Sequence, residues 1–163
     1  MIRLSGLIPP ICTPLREDGV DARSLARLIE HQLATGVDGI FVLGSSGEAV
    51  YLNDRERARV VDVARVTVSN AVPLLVGALE ATATRVSQQM RRLESNGGIT
   101  AWVVTAPFYA ACSITEVAEH FRAVAKGTER PVLAYDIPGN VGRPLDRRVV
   151  LELLQSQALA GLK

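Results

Sequence analysis

One of the two lysines in this chain closes an apolar stretch. Lys163 follows the sequence ALAGL, whereas Lys126 precedes Gly127 in a polar segment. A desolvated amine at the end of a buried strand is suited to imine formation with a carbonyl substrate. A lysine at a literal chain terminus is instead a solvated, frayed tail. The residues alone leave both interpretations open.

A second candidate reactive segment follows the apolar run FVL. Gly44, Ser45, Ser46, Gly47 and Glu48 form a turn-like sequence in which two glycines flank two hydroxyl groups. Such a turn can direct amides and hydroxyls toward a carboxylate or a phosphate, although an ordinary polar turn has the same composition. Glu48 stands where a GxSxG nucleophile elbow requires glycine, so serine hydrolysis is disfavoured.

Two tyrosines also end apolar runs. Tyr135 closes PVLAY and is followed by Asp-Ile-Pro, and Tyr109 follows WVVTAPF. A tyrosine in such a place either packs with its hydroxyl satisfied or transfers protons. The histidines, His31 and His120, fall within helical patterns, and we expect them to have surface or packing roles.

Apolar runs that alternate with helical periodicity must position these groups. The runs begin near Leu7, Asp38, Val72, Thr100, Pro131 and Leu159. Their starts are 28 to 34 residues apart, with no strand pair close enough for a tight hairpin, so the sequence predicts parallel β/α units. The continuous apolar character of FVLG, LLVG, AWVVT and VLAY predicts strands that are buried on both faces.

Helix ends are marked by local signals. The apolar periodicity predicts a first helix over residues 21–35. Asn53 followed by Glu56 predicts a capping box at the start of the second helix. Gly36, Gly97 and Gly127 stand where helices are expected to end.

Two architectures accommodate a repeated β/α unit. An open doubly wound parallel sheet would be complete in 163 residues, whereas a (β/α)8 TIM barrel needs about 250. In the barrel, residues 1–163 would supply six strands and five helices as the N-terminal part of a single β/α domain, with the C-terminal part absent. In both architectures the reactive groups lie at the carboxyl ends of the strands.

Composition excludes several classes of protein. With 48% apolar and 21% charged residues the chain is an ordinary globular one, and a net charge of +1 without runs of like charge disfavours binding to nucleic acids or anionic membranes. Cys12 and Cys112 are isolated, so a zinc site or a disulfide framework has no support. No signal peptide or membrane span is evident, and a cytoplasmic protein is expected.

Several segments together resemble one known family. GSSGE, APFY, YDIP and GLK occur in this order after the opening GLIPPICTPLREDGVD. This combination is similar to the dihydrodipicolinate synthase and N-acetylneuraminate lyase family of class I aldolases, which are (β/α)8 barrels. The resemblance covers the whole chain. It implies a lyase in which a lysine forms a Schiff base with pyruvate or another 2-oxo acid, and in which a carbon–carbon bond to an aldehyde is made or broken. It also implies that the enzyme uses no cofactor or metal. The same resemblance implies a homo-oligomer, specifically a tetramer.

The resemblance assigns catalytic roles to four residues. Lys163 would form the imine, and Tyr135 would be the acid and base beside it. Ser45 would join a proton relay, and Tyr109 would complete that relay across a subunit interface.

The resemblance also assigns the substrate-binding residues. Ser46, with Gly44 and Gly47, would hold the carboxylate of pyruvate, and Asn140 would face the second substrate. The synthase branch usually has an arginine at the position of Asn140. This difference argues against dihydrodipicolinate (4-hydroxy-tetrahydrodipicolinate) synthase, which is therefore the alternative to the general aldolase. A catalytically silent 2-oxo-acid-binding protein is another alternative. The residues themselves leave open the aldehyde, the direction of reaction and the oligomeric state.

Overall fold

The computed structural model describes residues 4–94 and 97–163, in which strands alternate with helices. The strands are β1 (Leu15–Arg16), β2 (Gly19–Val20), β3 (Ile40–Val42), β4 (Leu74–Gly77), β5 (Ala101–Thr105), β6 (Val132–Tyr135) and β7 (Gly161–Leu162). The helices are α1 (Ala22–Ala34), α2 (Asp54–Val68), α3 (Ala83–Leu93), α4 (Ile114–Lys126), α5 (Pro138–Val141) and α6 (Arg147–Gln155).

The chain divides into two compact units. The first comprises Met1–Gly77 and Arg91–Ala101, and the second comprises Ala78–Met90 and Trp102–Lys163. In the first unit β3 pairs in parallel with β4. In the second, β6 pairs in parallel with both β5 and β7. The predicted parallel β/α pattern is therefore confirmed.

The predicted first strand, near Leu7, is an extended segment with little regular pairing. It joins β3 through one parallel bridge between Pro10 and Phe41. The amide of Ile11 donates to the carbonyl of Phe41 at 2.8 Å, and the amide of Phe41 donates to the carbonyl of Pro9 at 3.1 Å. Pro9 has no N–H to donate toward β3, so the regular ladder is interrupted before this bridge.

Neighbouring strands follow one another in chain order. The first segment pairs with β3, and β3 pairs directly with β4. Just beyond β4, the amide of Ala78 donates to the carbonyl of Val103 in β5 at 2.9 Å. A doubly wound sheet of the order 2-1-3-4-5 separates its second and third strands. The doubly wound alternative of this order is therefore wrong, because the second and third predicted strands are β3 and β4, which pair directly.

The expectation that no tight hairpin occurs is also wrong. β1 and β2 pair antiparallel, with Leu15 opposite Val20 and Arg16 opposite Gly19. Gly19 has φ +115°, a conformation open mainly to glycine, which lets the chain reverse within a few residues. Strands this short show no alternation of apolar residues, so the sequence pattern could not indicate them.

Capping interactions fix the starts of α1 and α2, and the capping box of α2 is the one that was predicted. The side chain of Asn53 accepts a hydrogen bond from the amide of Glu56 at 3.0 Å, and the Glu56 carboxylate accepts one from the amide of Asn53 at 2.8 Å. Asp21 caps α1 by accepting from the amide of Ser24 at 3.1 Å. Each such cap stabilises its helix by about 1 kcal/mol.

The core lies along the strands. Every residue of β3, β4 and β5 is buried, and in β6 only Leu133 is half-buried. Trp102 and Phe41 are fully buried. The prediction of strands covered on both faces is thus confirmed.

His120 is a buried histidine on α4. Its side chain is 6% exposed, and its Nε2 donates to the carbonyl oxygen of Thr105 at 3.1 Å in the tautomer protonated there. Burial lowers the pKa of His120 from 6.5 to about 4, and the hydrogen bond to Thr105 opposes this shift.

We expect His120 to make stability depend on pH. Between pH 6.5 and about 4 the unfolded chain binds a proton at this residue and the folded chain does not, so the free energy of unfolding falls as the pH falls through this window. The loss by pH 4 is roughly 3 kcal/mol. Urea unfolding at pH 7 and pH 4 should show this loss reduced in His120→Gln, which keeps a donor for Thr105. The exposed His31→Gln is the control, and equal pH dependence in all three proteins would contradict the prediction.

Candidate active site

In the first unit, the chain leaves β3 through a turn with unusual backbone angles. Leu43 has φ +57° and Glu48 has φ +55°, so two residues with side chains adopt the left-handed conformation at the two ends of the turn. Each such residue is strained by an amount of order 1 to 3 kcal/mol and persists only where surrounding contacts hold it. Residues 44–47, between these two positions, are the segment that the sequence singled out.

Both glycines of this turn lie against other backbone and side-chain atoms. A Cβ atom on Gly44 would lie 2.6 Å from the ring of Phe41, and one on Gly47 would lie 3.0 Å from the carbonyl oxygen of Ile11. Any larger residue would force the turn away from β3 or from the first segment. The glycines therefore allow the turn to pack closely at this edge of the sheet.

The two serines stand at the tip of the turn. Their side chains are exposed, whereas Gly44 and Gly47 on either side of them are buried. The amide of Glu48 donates to the carbonyl of Ser45 at 3.0 Å, and the amide of Ala49 donates to the carbonyl of Gly44 at 3.3 Å. These bonds close the turn, so Ser45 and Ser46 project from a fixed base.

Two side chains outside the turn hold its carbonyl groups. The Thr13 hydroxyl donates to the carbonyl oxygen of Gly47 at 2.7 Å in a buried setting. The Arg57 guanidinium, on α2, donates through Nε to the carbonyl oxygen of Ala49 at 2.9 Å. The sequence assigns no role to Thr13 or Arg57. No pattern of residue types indicates such bonds, because each joins a side chain to a backbone carbonyl outside its own element.

In the second unit, Lys163 continues the parallel ladder beyond β7. Its amide donates to the carbonyl of Ala134 at 2.8 Å, and its carbonyl accepts from the amide of Asp136 at 2.8 Å. Lys163 is therefore the next rung after the pair formed by Ala134 and Leu162. Its backbone is held by these two hydrogen bonds, so the interpretation of Lys163 as a frayed tail is wrong. The residue is nevertheless exposed, so the alternative prediction of a desolvated amine is not confirmed either.

The same rung brings Lys163 to Tyr135. The Nζ atom of Lys163 lies 4.0 Å from the centre of the Tyr135 ring, a distance at which an ammonium group is attracted to the face of an aromatic ring. Tyr135 is 8% exposed, and its neighbour on the other side is Thr105, opposite it in β5. An amine and a phenol thus stand together where two strands end.

The other two candidate site residues of the second unit lie on a loop and on a short helix. Tyr109 is fully exposed and has φ +75°. Asn140 is exposed on α5. The Oδ1 atom of Asp136 accepts a hydrogen bond from the amide of Leu145 at 3.1 Å, which joins the chain before α5 to the chain after it. Arg143 donates to the carbonyl of Cys112, which ties the loop after Tyr109 to the segment after α5.

Other kinds of site were sought in the described part of the chain. Within residues 4–94 and 97–163, no group of three or more histidine, cysteine, aspartate or glutamate side chains could hold a metal ion. Cys12 and Cys112 are free thiols. No helix in these residues is long and apolar enough to cross a membrane.

The consecutive parallel β/α units are those of a (β/α)8 barrel, as comparison with solved structures confirms. YagE, a prophage protein of the dihydrodipicolinic acid synthase family from E. coli K12 solved in complex with pyruvate, matches with a TM-score of 0.91 and 31% identity, over 97% of this chain and 53% of that one. The 4-hydroxy-tetrahydrodipicolinate synthase of Methylacidiphilum fumariolicum SolV matches with a TM-score of 0.93 and 25% identity, over 99% and 54%.

Sequence comparison assigns the chain to one family of (β/α)8-barrel proteins. The model of the dihydrodipicolinate synthetase family matches residues 3–163. The chain is 34% identical over 163 residues to the 4-hydroxy-tetrahydrodipicolinate synthase of Anaeromyxobacter dehalogenans (strain 2CP-C), covering 100% of this chain and 55% of that one. It is 38% identical over 162 residues to that of Xanthomonas axonopodis pv. citri (strain 306), covering 98% and 53%. The chain belongs to the dihydrodipicolinate synthetase family, and it spans about half the length of these relatives.

Proposed function

We propose that this protein is a carbon–carbon lyase that forms an imine between Lys163 and pyruvate or another 2-oxo acid and makes or breaks a bond to an aldehyde. The observation that carries the proposal is the pairing of the Lys163 amine with the Tyr135 phenol on one rung of the sheet, 4.0 Å from Nζ to the ring centre. In this proposal residues 1–163 are the N-terminal part of a single barrel domain.

The chemistry follows from an amine beside a proton donor. The neutral amine of Lys163 attacks the ketone carbon of the 2-oxo acid, and loss of the carbonyl oxygen as water leaves an iminium ion. The iminium withdraws electrons, so a proton leaves C3 and an enamine forms. The enamine carbon then attacks the aldehyde carbonyl to form the new bond, and water releases the product and restores the amine. In this proposal Tyr135 gives and takes the protons.

The serine turn supplies the anchor for the substrate in this proposal. Ser46, with the backbone of Gly44 and Gly47, holds the carboxylate of the 2-oxo acid, and Ser45 extends the proton relay from Tyr135. Support comes from the exposure of both serines on a turn whose base is buried. Hydroxyl and amide donors fixed in advance bind a carboxylate without the entropy loss of ordering a loop.

The exposed Tyr109 fits a role in a neighbouring subunit. A tyrosine with its whole side chain in solvent is an unusual feature of a folded chain. We infer a homo-oligomer in which Tyr109 completes the relay of a second subunit. We place this protein in the cytoplasm, where thiols such as Cys12 remain reduced.

Asn140 favours neutral aldehydes as the second substrate. Its amide can hydrogen-bond to hydroxyl groups but carries no charge to pair with a second carboxylate. Hydrogen bonds to charged groups contribute about 1.5 to 3 kcal/mol, against about 1 for neutral ones, so we expect kcat/KM for hydroxylated aldehydes to exceed that for aspartate semialdehyde by about tenfold. Each aldehyde is assayed separately with pyruvate.

The outcomes of this assay separate the candidate functions. A preference for aspartate semialdehyde would contradict the role of Asn140 and favour 4-hydroxy-tetrahydrodipicolinate synthase, which is the name of the relatives reported above. Turnover of neutral aldehydes in Asn140→Arg should fall relative to aspartate semialdehyde. Binding of pyruvate without turnover of any aldehyde would indicate a silent binding protein.

A further inference from the structure

We propose that Thr13 is a positioning residue that sets the affinity of the serine turn for the carboxylate of the 2-oxo acid. This inference rests on the proposed function, because it assigns Thr13 a part in the same substrate site. Thr13 lies at the end of the first extended segment, is 8% exposed, and donates its hydroxyl to the carbonyl oxygen of Gly47 in the turn.

The turn needs such support because its backbone is strained. Leu43 and Glu48 both adopt left-handed angles that side chains disfavour. The bonds within the turn, from Glu48 to Ser45 and from Ala49 to Gly44, are at 3.0 and 3.3 Å. A strained segment relaxes unless contacts from outside determine its shape. The bond from Thr13, at 2.7 Å, is one of these contacts.

The position of this bond determines what it controls. In a trans peptide the carbonyl and the N–H point in opposite directions. The carbonyl of Gly47 points to Thr13, and the N–H of the same peptide, on Glu48, donates to the carbonyl of Ser45. Thr13 therefore clamps one end of a peptide unit whose other end closes over Ser45 and Ser46. The orientation of the serine hydroxyls and of their amides depends on that clamp.

Removing the hydroxyl should weaken substrate binding rather than the chemical step. Thr13→Val keeps the shape of the side chain and leaves the Gly47 carbonyl buried without its donor, which favours a rotated peptide. We expect the half-saturating concentration of pyruvate to rise about tenfold, on the scale of losing one buried hydrogen bond, with kcat changed less than threefold. Thr13→Ser retains the donor and should behave like the unsubstituted protein. Thr13→Cys has a weak donor and should lie between them.

The test measures borohydride trapping of the pyruvate imine in the full protein as a function of pyruvate concentration, by intact mass. Thr67→Val is the matched control, because Thr67 donates to the carbonyl of Val63 at 2.8 Å in α2, away from the turn. Its half-saturation should be unchanged. If Thr13→Val does not fold, the comparison of Thr13→Cys with Thr13→Ser carries the test.

Two results would overturn the inference in distinguishable ways. Unchanged half-saturation in Thr13→Val and Thr13→Cys, with the adduct still formed, would remove the role of Thr13 and leave the proposed function intact. Absence of any adduct in the unsubstituted protein would overturn both.

Discussion

Replacing Lys163 with arginine is expected to lower turnover on the order of 10⁴-fold or more, the scale of losing a covalent nucleophile. Arginine keeps the positive charge and can still stack on the ring of Tyr135, but its guanidinium remains protonated and cannot attack a carbonyl carbon. The measurement is kcat with pyruvate and the aldehyde that the unsubstituted protein turns over fastest.

Lys126 supplies the matched control for this substitution. It is the only other lysine, and it is exposed in the last turn of α4. Lys126→Arg should leave turnover within about twofold of the unsubstituted value, since surface substitutions away from special features have small effects. Equal activity in Lys163→Arg and Lys126→Arg would show that the reaction does not pass through an amine of this chain.

Removing the hydroxyl of Tyr135 should lower turnover by about 10²- to 10⁴-fold, the usual contribution of a general acid or base. Tyr135→Phe keeps the ring that contacts Nζ of Lys163, so the fold and the ring contact are expected to persist. Circular dichroism and kcat measured on the same preparation separate these effects.

Tyr51→Phe is the control for this second prediction, because Tyr51 is 82% exposed and lies outside the rung formed by Tyr135 and Lys163. Its turnover should be unchanged. If Tyr135→Phe were as active as Tyr51→Phe, the phenol of Tyr135 would have only a packing role.

Local signals explain which parts of the fold could be predicted. The predicted capping box of Asn53 and Glu56 is contained within four residues, and it is present. The buried strands were found because their whole length is apolar, and their starts lie one or two residues after the predicted ones. The hairpin at Leu15 and Val20 was missed because pairs of residues are too short to show a period.

The site was predictable to the extent that it depends on strand ends. Tyr135 and Lys163 each follow an apolar run, and parallel strands bring their carboxyl ends to one edge. What could not be predicted is the backbone conformation of the serine turn and the contacts that hold that turn in place. The left-handed angle of Leu43 has no signal in a residue type that normally avoids it. The bond from Thr13 to Gly47 joins residues that are far apart in the chain.

The most direct test of the imine is to reduce the intact protein with borohydride in the presence of pyruvate and map the modified peptide. Because the chain has only Lys126 and Lys163, the position of the added mass is read from two peptides. We expect the adduct on Lys163, at the rung shared with Tyr135, and none on Lys126, which lies in the last turn of α4. An adduct on Lys126, or on neither lysine at saturating pyruvate, would contradict an imine mechanism at Lys163.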